Sequence, residues 1–119
     1  MFLLPLFALL LAEPHPLMRE YNHAWQLVGQ RRPDEAIPVL KAIIAKDKTF
    51  YRAYELLARA YSQKKQPEAA VAYFRSLVAE DPSNGLAHYG VGRVYEEQQR
   101  YSSAAEEYAA CTRKPVRSH

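Results

Sequence analysis

The sequence predicts an all-α fold, a solenoid of three helix–turn–helix repeats of 34 residues each. The first observation is a period. Shifting residues 51–84 back by 34 places sets Ala70 on Ala36, Phe74 on Leu40, Leu77 on Ile43, Pro67 on Pro33 and Asp81 on Asp47. The forward shift sets Tyr61 on Tyr95, Ala70 on Ala104, Phe74 on Tyr108 and Leu77 on Cys111, with no insertion either way. The second is composition: only 4 of 119 residues are glycine, and Ala, Leu, Glu, Arg and Gln, all good helix formers, fill the repeats. The third is spacing, since apolar residues recur three and four apart within each segment, as on one face of a helix.

Length suits one domain, and the apolar fraction of 49% and charged fraction of 24% are ordinary globular usage. The net charge of +3 is spread along the chain, whereas a nucleic-acid partner calls for a concentrated basic stripe. The basic ending Arg113-Lys114-Pro115-Val116-Arg117 reads as a short solvated tail. One cysteine, Cys111, excludes an internal disulfide. Its place matches Ile43 and Leu77, so it reads as a small core residue.

In chain order, residues 2–11 are apolar apart from Pro5. A bilayer span needs about 20 residues as a helix, so this run suits the apolar part of a signal peptide, with residues 1–12 as leader. Export to the periplasm or outside the cell is the expectation, although no Lys or Arg precedes the run. The alternatives are an uncleaved membrane anchor or an apolar strip packed on the first repeat of a cytoplasmic protein. Residues 13–16 form an extended linker, because Pro14 and Pro16 oppose helix. The array occupies 17–118, divided as 17–50, 51–84 and 85–118.

In the first repeat, a helix over about 17–30 carries Tyr21, Ala24, Trp25 and Val28 in one stripe. Gly29-Gln30-Arg31-Arg32 is the break. Pro33 suits a first helical turn, with Asp34 and Glu35 at the positive end of the helix dipole. Ala36, Leu40 and Ile43 continue the apolar face, and the spacing predicts a slight bend at Pro38 without a break. In the second repeat Tyr54, Leu57, Ala58 and Tyr61 face Ala70, Phe74 and Leu77, the small residues allowing close approach. Asp81-Pro82-Ser83-Asn84 ends that unit, with Ser83 or Asn84 as the cap of the next helix. In the third, His88, Val91, Gly92 and Tyr95 precede Ala104, Tyr108 and Cys111. With no polar capping helix after it, Val94, Tyr101 and Tyr108 are expected on an apolar end face.

These residues resemble the tetratricopeptide repeat family over 17–118. Tyr54, Leu57, Ala58, Tyr61, Ala70, Phe74 and Pro82 match its pattern, as do His88, Val91, Gly92, Tyr95, Ala104 and Tyr108. The first repeat is degenerate, with Glu20 and His23 in apolar places. The resemblance implies a right-handed superhelix whose first helices line a concave groove for a protein or peptide partner. By position that groove presents Tyr21, Asn22 and Trp25, then Arg52, Glu55, Arg59 and Ser62, then Tyr89, Arg93 and Glu96. A groove of aromatics and arginines suits a segment bearing an acidic group. The Lys, Asn and Arg set with which one subgroup grips a chaperone's C-terminal carboxylate is absent, its places held by Tyr21, Trp25, Leu56, Leu86 and Gly90.

No chemistry is expected. His15, His23, His88 and His119 are dispersed, with no metal-ligand spacing. There is no nucleophile elbow or glycine-rich loop for a cofactor or small-molecule substrate. Glu96 with Glu97, and Glu106 with Glu107, read as solvent-face residues, and His23 and His88 as neighbours of helix contacts. The function read from the sequence is a non-enzymatic interaction module with a protein or peptide partner, with membrane contact only through an uncleaved leader. Self-assembly into a homo-oligomer through the third repeat, or service as an accessory subunit, are the alternatives.

Overall fold

A computed structural model of the protein describes residues 15–112. The leader 1–12, linker residues 13 and 14, and the basic ending with Pro115 lie outside the described residues. Within them the chain forms six helices and no strand: α1 Met18–Gly29, α2 Pro33–Lys46, α3 Tyr51–Gln63, α4 Pro67–Glu80, α5 Gly85–Glu97 and α6 Tyr101–Thr112. No helix among these residues is long and apolar enough to cross a membrane. Pro33 and Pro67 open α2 and α4, where a missing amide costs nothing, and Asp34, Glu35 and Glu68 sit in those first turns. α2 continues through Pro38, held by buried Leu40, Ile43 and Ile44.

The turn inside each repeat is the same. Arg31, Lys65 and Gln99 have φ of 62°, 59° and 62°. Each follows the end of a first helix, in the left-handed conformation that closes a helix C-terminus. Its amide donates to the carbonyl of Val28, Ser62 or Glu96, and the next amide donates to that of Leu27, Tyr61 or Tyr95. Two orphaned helix-end carbonyls are thus satisfied three times over, at identical 34-residue spacing.

Between repeats an aspartate organises the turn. Asp47 Oδ1 accepts from the Thr49 amide and hydroxyl, and Asp81 Oδ1 accepts from those of Ser83. Lys48 Nζ lies 3.0 Å from Asp81, tying one turn to the next. Ser83 and Asn84 therefore do not cap α5: Ser83 is engaged by Asp81, and the buried Asn84 amide donates to the Tyr54 hydroxyl at 3.1 Å. Tyr54 in turn donates to the Lys48 carbonyl at 2.8 Å, so one buried phenol joins both inter-repeat turns. At the start of the array the Leu17 amide donates to His15 Nδ1, which puts the ring proton on Nε2, facing Asp47 at 2.8 Å.

The core runs unbroken from Leu17 to Val94, with Tyr54 stacked on the wholly buried Phe74 at 5.9 Å. A Cβ on Gly90 would come within 2.8 Å of three Phe74 ring atoms, and one on Gly92 within 2.5 Å of the Tyr108 ring. Several expectations change. Val94 is buried and belongs to the core, so it is not part of an end face. Tyr108 is half-buried and donates to Glu96, which leaves Tyr101, 63% exposed, as the apolar residue standing out on α6. Cys111 is half-buried, its thiol pushed up by burial, and its carbonyl leaves no room for a side chain at position 85. His23 lies exposed. Glu107 is no solvent-face residue: it receives both guanidinium nitrogens of Arg75, at 2.7 and 3.1 Å, and stands 3.1 Å from His88 Nδ1.

Stacking sets the curvature. α3 packs directly on α1 and on α5, yet no Cα of α2 comes within 8 Å of α4, nor one of α4 within 8 Å of α6. Helices close together on one side and spread on the other bend the stack toward the close side. The molecule is an all-α solenoid whose concave face is formed by α1, α3 and α5.

Candidate protein-binding groove

The concave face is built by helical spacing. On α3, Arg52, Glu55, Arg59 and Ser62 fall three and four apart, opposite the buried Tyr54, Leu57, Ala58 and Tyr61. Tyr89, Arg93 and Glu96 do the same on α5, and Asn22 and Trp25 on α1. These side chains meet across repeats. The Arg59 guanidinium lies over the Trp25 ring at 5.9 Å, a cation–π geometry at its outer limit. The Tyr89 hydroxyl donates to Glu55, and the Tyr89 and Tyr108 rings lie 5.7 Å apart. Glu96 accepts from Tyr108 and lies 3.4 Å from Arg93. An unbroken run of contacts therefore crosses α3, α5 and α6.

The two groove carboxylates are thus engaged from inside. Burial, together with bonding to Glu55, drives the Tyr89 phenol well above its ordinary range. Burial and Glu96 push Tyr108 up to about 12. Both phenols stay protonated at any physiological pH and remain donors. Arg52 and Glu55 do not form the pair their spacing allows, because Arg52 turns to the Tyr51 ring and hydroxyl while Glu55 takes Tyr89.

Tyr21 departs from its expected place. It is 8% exposed and packs on Phe50 at 5.5 Å, so it backs the groove and does not present its ring. Trp25, by contrast, is 52% exposed, and Asn22, Arg52, Arg59 and Glu96 are exposed. Glu55, Ser62, Tyr89 and Arg93 are half-buried. Of the chaperone-clamp places, Tyr21, Leu56 and Gly90 are buried, Gly90 against Phe74, while Leu86 is half-buried and Trp25 exposed.

Two clefts lie along the first-helix side. One of about 220 Å³ is lined by Trp25, Val28, Gly29, Arg31, Arg59 and Gln63. The other, of about 180 Å³, lies between His15, Met18, Phe50, Tyr51 and Arg52. Sequence reasoning missed Arg31 and Tyr51 as surface features. Arg31 lies in the break after the first helix, and Tyr51, 47% exposed, has no aromatic counterpart at positions 17 or 85. Among the described residues no three His, Cys, Asp or Glu side chains gather where a metal ion could bind.

A family model described as tetratricopeptide repeat matches residues 21–85 and again 56–116. Among solved structures the chain is similar to MamA (41-end) from Desulfovibrio magneticus RS-1 and to a MamA RS-1 ArsTM double mutant. Each matches at 27% identity and a TM-score of 0.51 over 83% of this chain. The chain spans 56% of the length of those structures. No curated protein matches it in sequence. Tetratricopeptide repeats are in general non-catalytic scaffolds for protein–protein interaction. The doubled family match, laid over three helix pairs with one shared turn geometry, shows that this chain belongs to the tetratricopeptide repeat family.

Proposed function

We propose that the protein is a non-enzymatic interaction module that holds an extended segment of a partner protein in the groove lined by α1, α3 and α5. The observation that carries this reading is the composition of the concave face: Trp25, Arg52, Arg59, Tyr89 and Arg93 share one surface across three first helices. Tyr and Trp give large contact area at low entropy cost, and Arg gives two-pronged recognition of carboxylates. Protein captured by the wild-type chain and lost from Arg59→Glu/Arg93→Glu, with both chains equally folded by circular dichroism, supports the groove. Equal capture by both removes it.

One observation favours self-assembly as a second reading. On α6 the large ring of Tyr101 stands out beside exposed Ala105 and Ala109. Light scattering across concentration separates the two, since a monomer at high concentration rejects association of copies. Export is proposed on the apolar run at 2–11 alone. N-terminal sequencing of the mature protein tests it: cleavage near Ala12 is expected, and a retained Met1 counts against it.

A further inference from the structure

The cleft at the end of α1 and α3 is lined by two arginines, where the second cleft has one. The two are Arg31 and Arg59, and among the described residues neither has a carboxylate within 4.0 Å. Three arginines elsewhere are paired, Arg32 with Glu35, Arg75 with Glu107 and Arg93 with Glu96, while Arg52 in the second cleft bonds the Tyr51 hydroxyl and is the one arginine there. Arg93 is the residue one repeat beyond Arg59, so pairing with an acid on its own helix happens there and not here. Two uncompensated guanidiniums in one recess repel each other, and an incoming anion relieves that repulsion. Trp25, Val28, Gly29 and Gln63 supply the uncharged remainder of the lining. At about 220 Å³ the cleft has room for one side chain and falls short of the roughly 300–1,000 Å³ typical of small-molecule and cofactor sites.

We propose that this cleft is the specificity pocket of the groove and receives the carboxylate of an Asp or Glu in the bound segment. Arg59 and Arg31 donate to the carboxylate, and the exposed Trp25 face packs on the neighbouring residue of the segment. The inference rests on the groove reading and assigns the chemistry of its ligand. Arg31 stands at the left-handed turn that closes α1, so the residue that ends the helix is also one of the cleft's two arginines.

A displayed library of random linear peptides, panned against the full chain, tests this. Selected peptides should carry Asp or Glu at one fixed position at least threefold above the library frequency. That preference should vanish on Arg31→Gln/Arg59→Gln, and Arg59→Glu should shift it toward Lys and Arg. Replacing the fixed acid by its amide in a selected peptide should weaken binding about tenfold or more, a charged hydrogen-bonded contact being lost. Binding can be followed through Trp25, the sole tryptophan. Peptides without an acidic preference that are nonetheless lost on Arg52→Glu/Arg93→Glu overturn the pocket and leave the groove standing. No selected peptide, or peptides indifferent to both variants, overturns both.

Discussion

Replacing Lys65 by glycine should stabilise the protein, although lysine is the better helix former. Lys65 holds φ at 59°, makes no side-chain hydrogen bond or ion pair among the described residues, and lies exposed. The left-handed conformation costs an L-residue roughly 1–2 kcal/mol, and glycine escapes that cost. Glycine gives back about 0.4–1 kcal/mol because its unfolded chain is more mobile. The net gain is about 0.5–1 kcal/mol. With a urea slope of about 1.5 kcal/mol per molar, the unfolding midpoint should rise by about 0.3–0.7 M at constant slope. Arg31→Gly and Gln99→Gly occupy the same turn one repeat away on either side. The triple variant should gain about 2 kcal/mol, since distant sites add. A lower midpoint for Lys65→Gly, by the amount a glycine costs inside a helix, would refute the left-handed turn and the shared closure of the three repeats.

Three further substitutions read the packing and the electrostatics. Gly90→Ala should destabilise by about 1 kcal/mol net. Overpacking against the wholly buried Phe74 ring outweighs the helix propensity gained, whereas Gly92→Ala meets the half-buried Tyr108, which has solvent on one side to turn toward, and should cost less; thermal melts rank the two. Tyr54→Phe leaves the Lys48 carbonyl and the buried Asn84 amide without their partner and should cost about 1–3 kcal/mol in urea unfolding. Burial alone would raise the Glu107 carboxyl, but Arg75 and His88 outweigh it and hold it below its ordinary 4.5. A lowered folded value gives stability that is complete above the ordinary value and lost as pH falls through the folded one. Wild type should therefore exceed Glu107→Gln most at neutral pH, with the gap closing below about pH 4.5; a gap constant with pH would contradict the pairing.

Period and residue type made most of the fold legible. Pro33, Pro67 and the acids behind them marked the starts of α2 and α4 because their chemistry is local. The small and large residues at Ala58, Ala70, Gly92 and Phe74 marked the crossings. What escaped was fixed by partners a repeat away. Glu107 looked like half of a solvated pair until folding set it against Arg75, 32 residues back, and against His88. Asn84 looked like a cap, but the buried Tyr54 hydroxyl competes for its side chain. Opposite charges about one period apart were the signal for the first. The left-handed turns carried no sign, because Arg31, Lys65 and Gln99 are not glycine. In the groove, the three- and four-residue spacing on α3 and α5 set Arg52, Arg59 and Arg93 opposite the buried stripe, where Arg52 and Arg59 are exposed and Arg93 is half-buried. It could not show that Tyr21 is covered by Phe50, nor that Glu55 and Glu96 are occupied by tyrosines.

The concave face as the seat of partner binding is tested most directly by NMR, titrating a bound peptide into isotope-labelled protein. The indole signal of Trp25 and the amides around Arg59, Tyr89 and Arg93 should move together and saturate at one stoichiometry. Shifts gathered around Tyr101, Ala105 and Ala109 on α6, with the first helices silent, would contradict it.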